Sequence, residues 1–377
     1  MPSVTGDPWL LTPGPLTTSL SIKEAMLHDW GSRDKAFIDM TARVREALVA
    51  LAGAEETHVC VPLQGSGTFV VEATIATLVP RDGKLLVLVN GAYGHRIVTI
   101  CRYLDRECVL LETPEDTPND IATLDDALAS DDSITHVAAV HCETTSGILN
   151  PIEEVAACVQ RHGRSLLIDA MSAFGALPLD ARSVHFDALI ASSNKCIEGV
   201  PGIGFSIIRE SVLETCEGNS HSLSLDLYEQ WCGLESSGQW RFTPPTHVLA
   251  AFDRALVEHA EEGGVAGRGR RYSENCRALV DGMRAMGFET LLSDNLQAPI
   301  IVTFCMPADP RFDFEEFYRR VAEKGFLLYP GKLTVAPSFR IGCIGRLGVG
   351  EVADALDAIR ATMTELDITQ PGSAAAE

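Results

Sequence analysis

A lysine at the end of an apolar segment is the first residue whose setting suggests chemistry. The stretch DALIASSNKCIEGVPGIG (187–204) begins as a strand-like apolar run and reaches Lys195 just before a glycine-rich loop. Most lysines are surface charges, so an exposed lysine is the default interpretation. If the amine is instead partly withdrawn from water, more of it is neutral near pH 7, and it can act as a nucleophile or base.

An aspartate stands in a similar position earlier in the chain. In SLLIDAMSAFG (165–175), an apolar strand-like segment ends on Asp169, 26 residues before Lys195. Parallel α/β sheets bind ligands at the carboxyl ends of their strands, so the two side chains could share one crevice. A cap for the following turn explains Asp169 equally well in isolation.

A glycine-rich segment, LQGSGTFVVEA (63–73), precedes an apolar helix and offers a place for an anion. Free amides at a helix N-terminus, with the Ser66 and Thr68 hydroxyls, can hold a phosphate group. An ordinary turn with an N-cap is the alternative. The segment is not G-x-G-x-x-G, because Val70 occupies the third glycine position, and it lacks the lysine of a P-loop. A single small phosphate group is therefore favoured over a dinucleotide or a nucleoside triphosphate.

These three features together match the needs of pyridoxal phosphate. Its phosphate requires amides and hydroxyls, its ring nitrogen requires a carboxylate that keeps it protonated, and its aldehyde requires a lysine. The sequence therefore predicts a pyridoxal-phosphate site that contains Asp169 and Lys195.

Apolar β-branched runs alternate with segments of helical length and would position these residues. Strands are predicted at 84–90, 136–142, 165–170, 187–192 and 204–208, and helices at 68–79, 94–104 and 151–162. Nearly continuous apolar strands are typical of a parallel sheet covered by helices on both faces. Beyond residue 245, helices are predicted at 246–262, 268–286, 313–324 and 348–366, with strands at 300–306 and 326–330. This pattern predicts an α/β domain followed by a smaller α+β domain.

Composition and charge narrow the class of protein. The net charge of −22 argues against nucleic acid or an anionic membrane as a partner. It also means that an anionic ligand needs local cations or oriented amides. The eleven cysteines show no C-x-x-C pair or Cys/His cluster at metal-ligand spacing, and no signal peptide or membrane-spanning run is found. We therefore expect reduced thiols, a cytoplasmic location and no metal.

An ordered set of motifs resembles a known family. From about residue 9 to residue 365 the chain carries LLTPGPLTTS, LQGSGT, VNGAYGHR, HCETTSGILNPIEEV, IDAMSAFG, SSNKCIEGVPG, SLSLDLYEQW, WRFTPPTH and FRIGCIG. Together they resemble the 2-aminoethylphosphonate–pyruvate transaminases, which are pyridoxal-phosphate enzymes of the aspartate-aminotransferase fold type (fold type I), in the branch of the alanine–glyoxylate transaminases. The glycine-rich motif alone is weak, whereas the ordered set is specific.

The resemblance implies a role for each matching residue. Lys195 would carry the cofactor and Asp169 would pair with its ring nitrogen. The other implied cofactor contacts are Ser66, Gly67, Thr68 and Asn194 at the phosphate, Tyr93 over the ring, Thr144 near the phenolic oxygen, and Thr243 from a neighbouring subunit. Arg340 would bind the acid group of the substrate, and Arg33 is a candidate phosphonate contact.

The resemblance also implies the reaction and the assembly. The amino group of 2-aminoethylphosphonate would pass to pyruvate, giving phosphonoacetaldehyde and L-alanine in phosphonate breakdown, in a homodimer with shared active sites. The implied large domain has a mainly parallel seven-stranded sheet. We expect an N-terminal segment at 1–20 that joins the small domain, a large domain at 21–255, a small domain at 256–367 and a disordered tail at 368–377.

Three other functions stay open from the sequence alone. Another transaminase of the same branch, such as an alanine–glyoxylate or serine–pyruvate enzyme, shares many of these motifs. A nicotinamide-dependent oxidoreductase fits the parallel sheet but not the missing third glycine or the position of Lys195. A binding protein without a cofactor would leave the coincidence of Asp169, Lys195 and the phosphate motif unexplained.

Overall fold

Helices and strands alternate along most of the chain in the computed structural model, which describes residues 5–331 and 336–368. The helices are α1 (Leu20–Glu24), α2 (Lys35–Leu51), α3 (Gly67–Leu78), α4 (Ala92–Tyr103), α5 (Ile121–Ser130), α6 (Ile152–Arg161), α7 (Glu210–Leu213), α8 (Leu227–Ser237), α9 (Thr246–Glu261), α10 (Gly264–Ala285), α11 (Phe314–Glu323) and α12 (Val349–Glu365). A short 3₁₀ helix covers Ala25–Leu27. None of these helices is long and apolar enough to cross a membrane.

The strands form one large sheet and three small ones. They are β1 (Trp9–Leu10), β2 (His58–Gly65), β3 (Lys84–Val89), β4 (Glu107–Glu112), β5 (Ile134–Val140), β6 (Cys142–Glu143), β7 (Ile148–Leu149), β8 (Ser165–Asp169), β9 (Ala188–Ser192), β10 (Gly202–Arg209), β11 (Ile301–Cys305), β12 (Phe326–Leu327), β13 (Tyr329–Pro330) and β14 (Ser338–Gly342). The large sheet has seven strands in the order β2-β10-β9-β8-β5-β3-β4. Only β10 runs antiparallel to its neighbours, so the predicted mainly parallel seven-stranded sheet is confirmed.

The central strands are covered on both faces, as their apolar sequences indicate. Every residue of β9 is buried, and so is every residue of β8 except the first. One apolar cluster lies on each face of the sheet, with α2, α6 and α9 on one side and α3 and α4 on the other. The edge strand β4 is largely exposed, which explains why its mixed sequence shows no strong strand pattern.

The sheet topology brings the chemically interesting segments to one edge. The parallel strands β3, β5, β8 and β9 all end there, and β8 ends on Asp169. The antiparallel strand β10 aligns its neighbours, because Gly202 pairs with Gly65 at the end of β2 and Gly204 pairs with Ser192 at the end of β9. The glycine-rich segment and the Lys195 loop therefore lie at the same level, on either side of the start of β10.

A smaller α+β unit follows the large sheet. Its antiparallel sheet has the order β11-β14-β13 and shares an apolar core with α10, α11 and α12. The N-terminal segment joins this unit, because β1 pairs with β12 and the Gly342 amide donates to the Leu11 carbonyl oxygen over 2.9 Å. Ile368, expected to belong to the tail, is buried in the same core, and the rest of the tail lies outside the described residues.

Helix α10 begins earlier than the sequence pattern predicts, at Gly264 rather than at residue 268. Glycines lower helix propensity, so the glycine-rich start obscures the first turn. One of these glycines, Gly269, is required by close packing, because a Cβ there would collide with the carbonyl oxygen of Ala176.

A buried cluster of charges joins α10 to the loop that follows Lys195. Glu198 is 2% exposed and accepts hydrogen bonds from Arg271 Nη2 (2.7 Å) and from the Tyr272 hydroxyl (2.6 Å). Arg268 is 1% exposed, pairs with Glu262 at 2.8 Å and donates to the Cys196 carbonyl oxygen. The two carboxylates balance the two guanidinium groups, so this charge cluster fixes the loop with its charges compensated.

The charge cluster predicts a large cost for removing one of its carboxylates. We expect Glu198→Gln to lower the free energy of unfolding by about 3 to 5 kcal/mol, because Arg268 and Arg271 then lose a buried counter-charge. Urea unfolding followed by circular dichroism measures this change. The matched control is Glu323→Gln, which removes an exposed partner of Arg319 and should cost less than about 1 kcal/mol. Equal losses in the two variants would contradict the role of the cluster.

Candidate active site

A cavity of about 240 Å³ opens where the strand ends meet. Eight of the residues singled out in the sequence line it, namely Ser66, Gly67, Thr68, Tyr93, Thr144, Asp169, Asn194 and Lys195. They come from five separate segments of the chain, so the parallel topology has assembled a single site from distant parts of the sequence.

The Lys195 side chain lies in this cavity under the N-terminal segment. Its Nζ donates a hydrogen bond to the Pro13 carbonyl oxygen over 2.7 Å. Gly14 packs directly against the same side chain, and a Cβ there would lie 2.7 Å from Lys195 Cδ. Burial lowers the pKa of the Lys195 ammonium to about 8. A sizeable fraction of the amine is therefore neutral near physiological pH, as a nucleophilic lysine requires.

Asp169 lies 5% exposed at the end of β8, and its Oδ1 accepts a hydrogen bond from the Met171 amide over 3.0 Å. Burial raises the pKa of this carboxyl to about 6, and the nearby Glu143 carboxylate acts in the same direction. The positive charges of Arg96 and Lys195 act against that rise. A buried carboxylate of this kind gains from a cationic partner placed beside it.

The start of α3 provides a place for an anion. Ser66 is the N-cap residue, and its side chain makes no capping hydrogen bond. Ser66, Gly67 and Thr68 line the cavity, so the first amides of the helix are available to a phosphate group there. Asn194 lies across the cavity, and its Oδ1 accepts a hydrogen bond from the Ser192 hydroxyl over 3.0 Å.

A buried carboxylate that the sequence analysis overlooks holds the start of α4. Glu143 is fully buried, and burial raises its pKa. One oxygen accepts from the amides of Tyr93 (3.1 Å) and Gly94 (3.4 Å), and the other accepts from the Thr145 hydroxyl (2.6 Å). Glu143 thereby fixes the backbone that carries the Tyr93 ring. Its position in the HCETTSG motif, just after an apolar strand, is the pattern that could have identified it.

Arg96 is a second cavity residue that the sequence analysis overlooks. It lies one helical turn after Tyr93, and its Nη1 donates to the Thr68 hydroxyl oxygen over 3.1 Å. In the motif VNGAYGHR, Arg96 follows Tyr93 by three residues. On a helix this spacing places the two side chains next to each other, and it is the signal that could have identified Arg96.

Arg340 lies behind the cavity wall, on β14, and is 1% exposed. Its Nη1 donates to the Thr144 carbonyl oxygen over 2.6 Å, and its Nε and Nη2 both donate to the Pro330 carbonyl oxygen. The guanidinium also stacks 4.8 Å above the centre of the Tyr329 ring. Arg340 therefore reaches the site through Thr144, and its described hydrogen bonds go to main-chain oxygens.

Arg33 and Thr243 lie together, but away from Lys195. Both line a second cavity of about 320 Å³, together with the segment 239–244. None of the residues that line this second cavity also lines the first one. Within one chain the structure therefore does not bring Arg33 or Thr243 to Lys195, and the role predicted for them in a neighbouring subunit's site stays a prediction.

The structure also brings together three side chains that the sequence spacing did not indicate. Ligand atoms of Asp125, Cys158 and His162 lie within 4.8 Å of one another, between α5 and α6. Asp125 Oδ1 accepts hydrogen bonds from His162 Nε2 (3.0 Å) and from Arg161 Nη2 (2.8 Å). The carboxylate is thus already satisfied by a neighbouring cation.

The raised pKa of Asp169 predicts how the cofactor-free protein responds to pH. Because its pKa is higher in the folded state, Asp169 contributes stability that is lost as the pH rises through about 6. Asp169→Asn removes this titration, so its stability relative to wild type should increase by about 1 kcal/mol between pH 5 and pH 7. Urea unfolding of the cofactor-free proteins at both pH values measures the change. A control at the exposed Asp132, Asp132→Asn, should show no such increase, and an Asp169→Asn difference that is the same at both pH values would contradict the prediction.

Comparisons with known proteins identify the family of this chain. The model of the class-V aminotransferase family matches residues 24–345. A 2-aminoethylphosphonate–pyruvate transaminase of Pseudomonas putida (strain W619) is 55% identical over 361 residues, which cover 96% of this chain and 98% of that protein. Another, of Cupriavidus necator, is 57% identical over 362 residues, which cover 96% of each chain.

Solved structures share the fold. The alanine–glyoxylate aminotransferase of Nostoc sp. has a TM-score of 0.87 at 23% identity, over 95% of each chain. The pyridoxamine–pyruvate aminotransferase of Mesorhizobium loti has the same TM-score and identity, over 97% of this chain and 94% of that one. At this identity the likeness shows the fold alone, which is fold type I of the pyridoxal-phosphate enzymes. Together with the family match and the close relatives, it shows that this chain is a class-V aminotransferase and belongs to the family of 2-aminoethylphosphonate–pyruvate transaminases.

Proposed function

We propose that this protein transfers the amino group of 2-aminoethylphosphonate to pyruvate and so forms phosphonoacetaldehyde and L-alanine. The observation that carries the proposal is the meeting of Lys195, Asp169 and the start of α3 around one cavity. More than half of the residues are identical to those of relatives named for this reaction, over nearly the whole chain. The proposal includes a cytoplasmic location and a part in phosphonate breakdown, and the eleven free cysteines accord with a reducing compartment.

The residues around the cavity fit pyridoxal phosphate. The uncapped start of α3 suits a phosphate dianion, and the buried Asp169 carboxylate suits a protonated ring nitrogen. Lys195, whose pKa burial lowers to about 8, suits an aldehyde. When bound, this cofactor supplies a carbonyl that accepts the amino group and a ring that withdraws electrons from the substrate carbon.

Lys195 also has the position of a general base. Its Nζ is held by the Pro13 carbonyl oxygen, so the amine keeps a defined orientation when it is not covalently engaged. From there it takes a proton from the substrate carbon next to the nitrogen and later returns a proton during the transfer. Asp169 would keep the proton on the ring nitrogen, and the Tyr93 ring, whose backbone amide is held by Glu143, would cover one side of the cofactor ring.

Both substrates are anions, whereas the protein carries a net charge of −22, so attraction has to be local. We propose that Arg340 binds the phosphonate or carboxylate group, since a planar fork of N–H groups matches either anion. Because its described hydrogen bonds go to Thr144 and Pro330, Arg340 would have to exchange a carbonyl oxygen for the substrate anion.

The second cavity supports a shared active site. We propose a homodimer in which Thr243 of one chain contacts the cofactor phosphate of the other chain, with Arg33 near the entrance. Thr243 and Arg33 line the same cavity, so one approach of the partner brings both of them to its site.

Replacing the catalytic lysine tests the cofactor assignment. Lys195→Ala should bind pyridoxal phosphate without the visible absorption band of covalently held cofactor, and its turnover should fall by about 10⁴-fold or more, because nucleophile and base are lost together. Absorption spectra and steady-state rates measure both effects. The exposed Lys35→Ala should behave as wild type, and normal turnover by Lys195→Ala would overturn the assignment.

The substrate class is tested by half-reactions. Adding 2-aminoethylphosphonate alone should bleach the visible band of the wild-type holoenzyme, and pyruvate should restore it, since the amino group is held until an acceptor arrives. Stopped-flow absorption follows both steps. Bleaching by alanine or serine, but not by 2-aminoethylphosphonate, would replace the proposed donor with a carboxylate-only one.

The shared site predicts that a residue outside the Lys195 cavity affects the cofactor. Thr243→Val should weaken pyridoxal phosphate binding about tenfold, because the phosphate loses one hydroxyl donor. Equilibrium dialysis measures the affinity, and light scattering should give the mass of two chains. The exposed Thr215→Val serves as the control, and a monomer that binds the cofactor with unchanged affinity would contradict the shared site.

A further inference from the structure

We propose that Arg96 supplies the positive charge that neutralises the cofactor phosphate. The inference rests on the proposed function, because it requires pyridoxal phosphate in the cavity. The amides and hydroxyls at the start of α3 can donate hydrogen bonds to a phosphate, but they carry no full charge. A dianion held in an acidic protein therefore calls for a cation nearby.

Two contacts hold the Arg96 guanidinium beside the phosphate site. Its Nη1 donates to the Thr68 hydroxyl oxygen over 3.1 Å, and Thr68 belongs to the proposed phosphate-binding segment. The guanidinium also stacks 4.7 Å above the centre of the Tyr93 ring. Both Thr68 and Tyr93 line the Lys195 cavity, as Arg96 itself does, so these two contacts hold the exposed cation at the cavity wall.

Within residues 5–331 and 336–368, no carboxylate forms an ion pair with the Arg96 guanidinium, so its positive charge is available to a bound anion. The positive charge of Arg96 nevertheless acts on Asp169 and Lys195. It favours a lower pKa for both groups, in Asp169 against the larger effect of burial. The other cations near the site have different tasks, because Lys195 takes the aldehyde and Arg340 donates to main-chain oxygens.

The position of Arg96 favours the cofactor phosphate over the substrate anion. Thr68 lies in the first turn of α3, where helix amides and the helix dipole already attract a phosphate. A guanidinium bonded to this residue can add a charge-assisted hydrogen bond from its remaining N–H groups to the same phosphate. The stacked Tyr93 ring limits the motion of the Arg96 guanidinium and keeps its N–H groups in place.

Comparing two forms of the cofactor tests the inference. The affinity of the full-length cofactor-free protein is measured by absorption titration for pyridoxal phosphate and for pyridoxal, which lacks the phosphate. We expect Arg96→Gln to weaken the binding of pyridoxal phosphate by about 10- to 100-fold and to leave pyridoxal binding unchanged. Arg96→Lys should recover part of the loss, because it restores the charge without the fork. The control is Arg102→Gln, at the other end of α4, which should not alter either affinity.

The possible outcomes separate this inference from the proposed function. A wild-type protein that binds neither form would overturn the proposed function and the inference with it. If wild type binds both forms, equal losses of the two in Arg96→Gln would show a structural role and overturn the inference. Unchanged pyridoxal phosphate binding, with a raised KM for 2-aminoethylphosphonate but not for pyruvate, would assign Arg96 to the substrate phosphonate and overturn it as well.

Discussion

The fold keeps one amine, that of Lys195, partly neutral and in one place. The Lys195 loop follows β9, and two different elements hold it. On one side the buried charge cluster fixes Cys196 and Glu198 to α10. On the other side the N-terminal segment accepts a hydrogen bond from Nζ and packs Gly14 against the side chain. Because β1 of that segment pairs with β12 of the smaller α+β unit, the position of the amine depends on elements outside the large sheet as well as on β9.

An acidic chain that acts on anionic substrates needs local positive charge at its binding site. With a net charge of −22, the overall field repels each of them. The compensation is placed within a few residues of the cavity: the start of α3, the Arg96 guanidinium and the buried Arg340. Such short-range contacts are less affected by salt than long-range steering, so affinity depends on fixed geometry rather than on net charge.

The sequence predicted the elements and residues that depend on local patterns, and it missed those that depend on partners distant in the chain. Local apolar patterns predicted the central strands β3, β8 and β9, and the order of motifs predicted the family and the residues that line the cavity. The exposed strand β4 and the glycine-rich start of α10 lack a strong local pattern, and they form because of tertiary packing. Glu143 and Arg96 could not be placed from spacing alone, since their partners lie 50 and 28 residues away.

Burial disfavours the charged forms of Asp169 and Lys195 while the cavity holds no ligand. Asp169 is a buried carboxylate and Lys195 a buried amine, and both have pKa values shifted toward their neutral forms by burial. In the proposed function, a cationic ring nitrogen would pair with the Asp169 carboxylate, and an aldehyde would react with the neutral form of the Lys195 amine. Buried charges that lower the stability of the free protein would thus favour binding of the proposed cofactor, and such groups are typical of active sites rather than of the core.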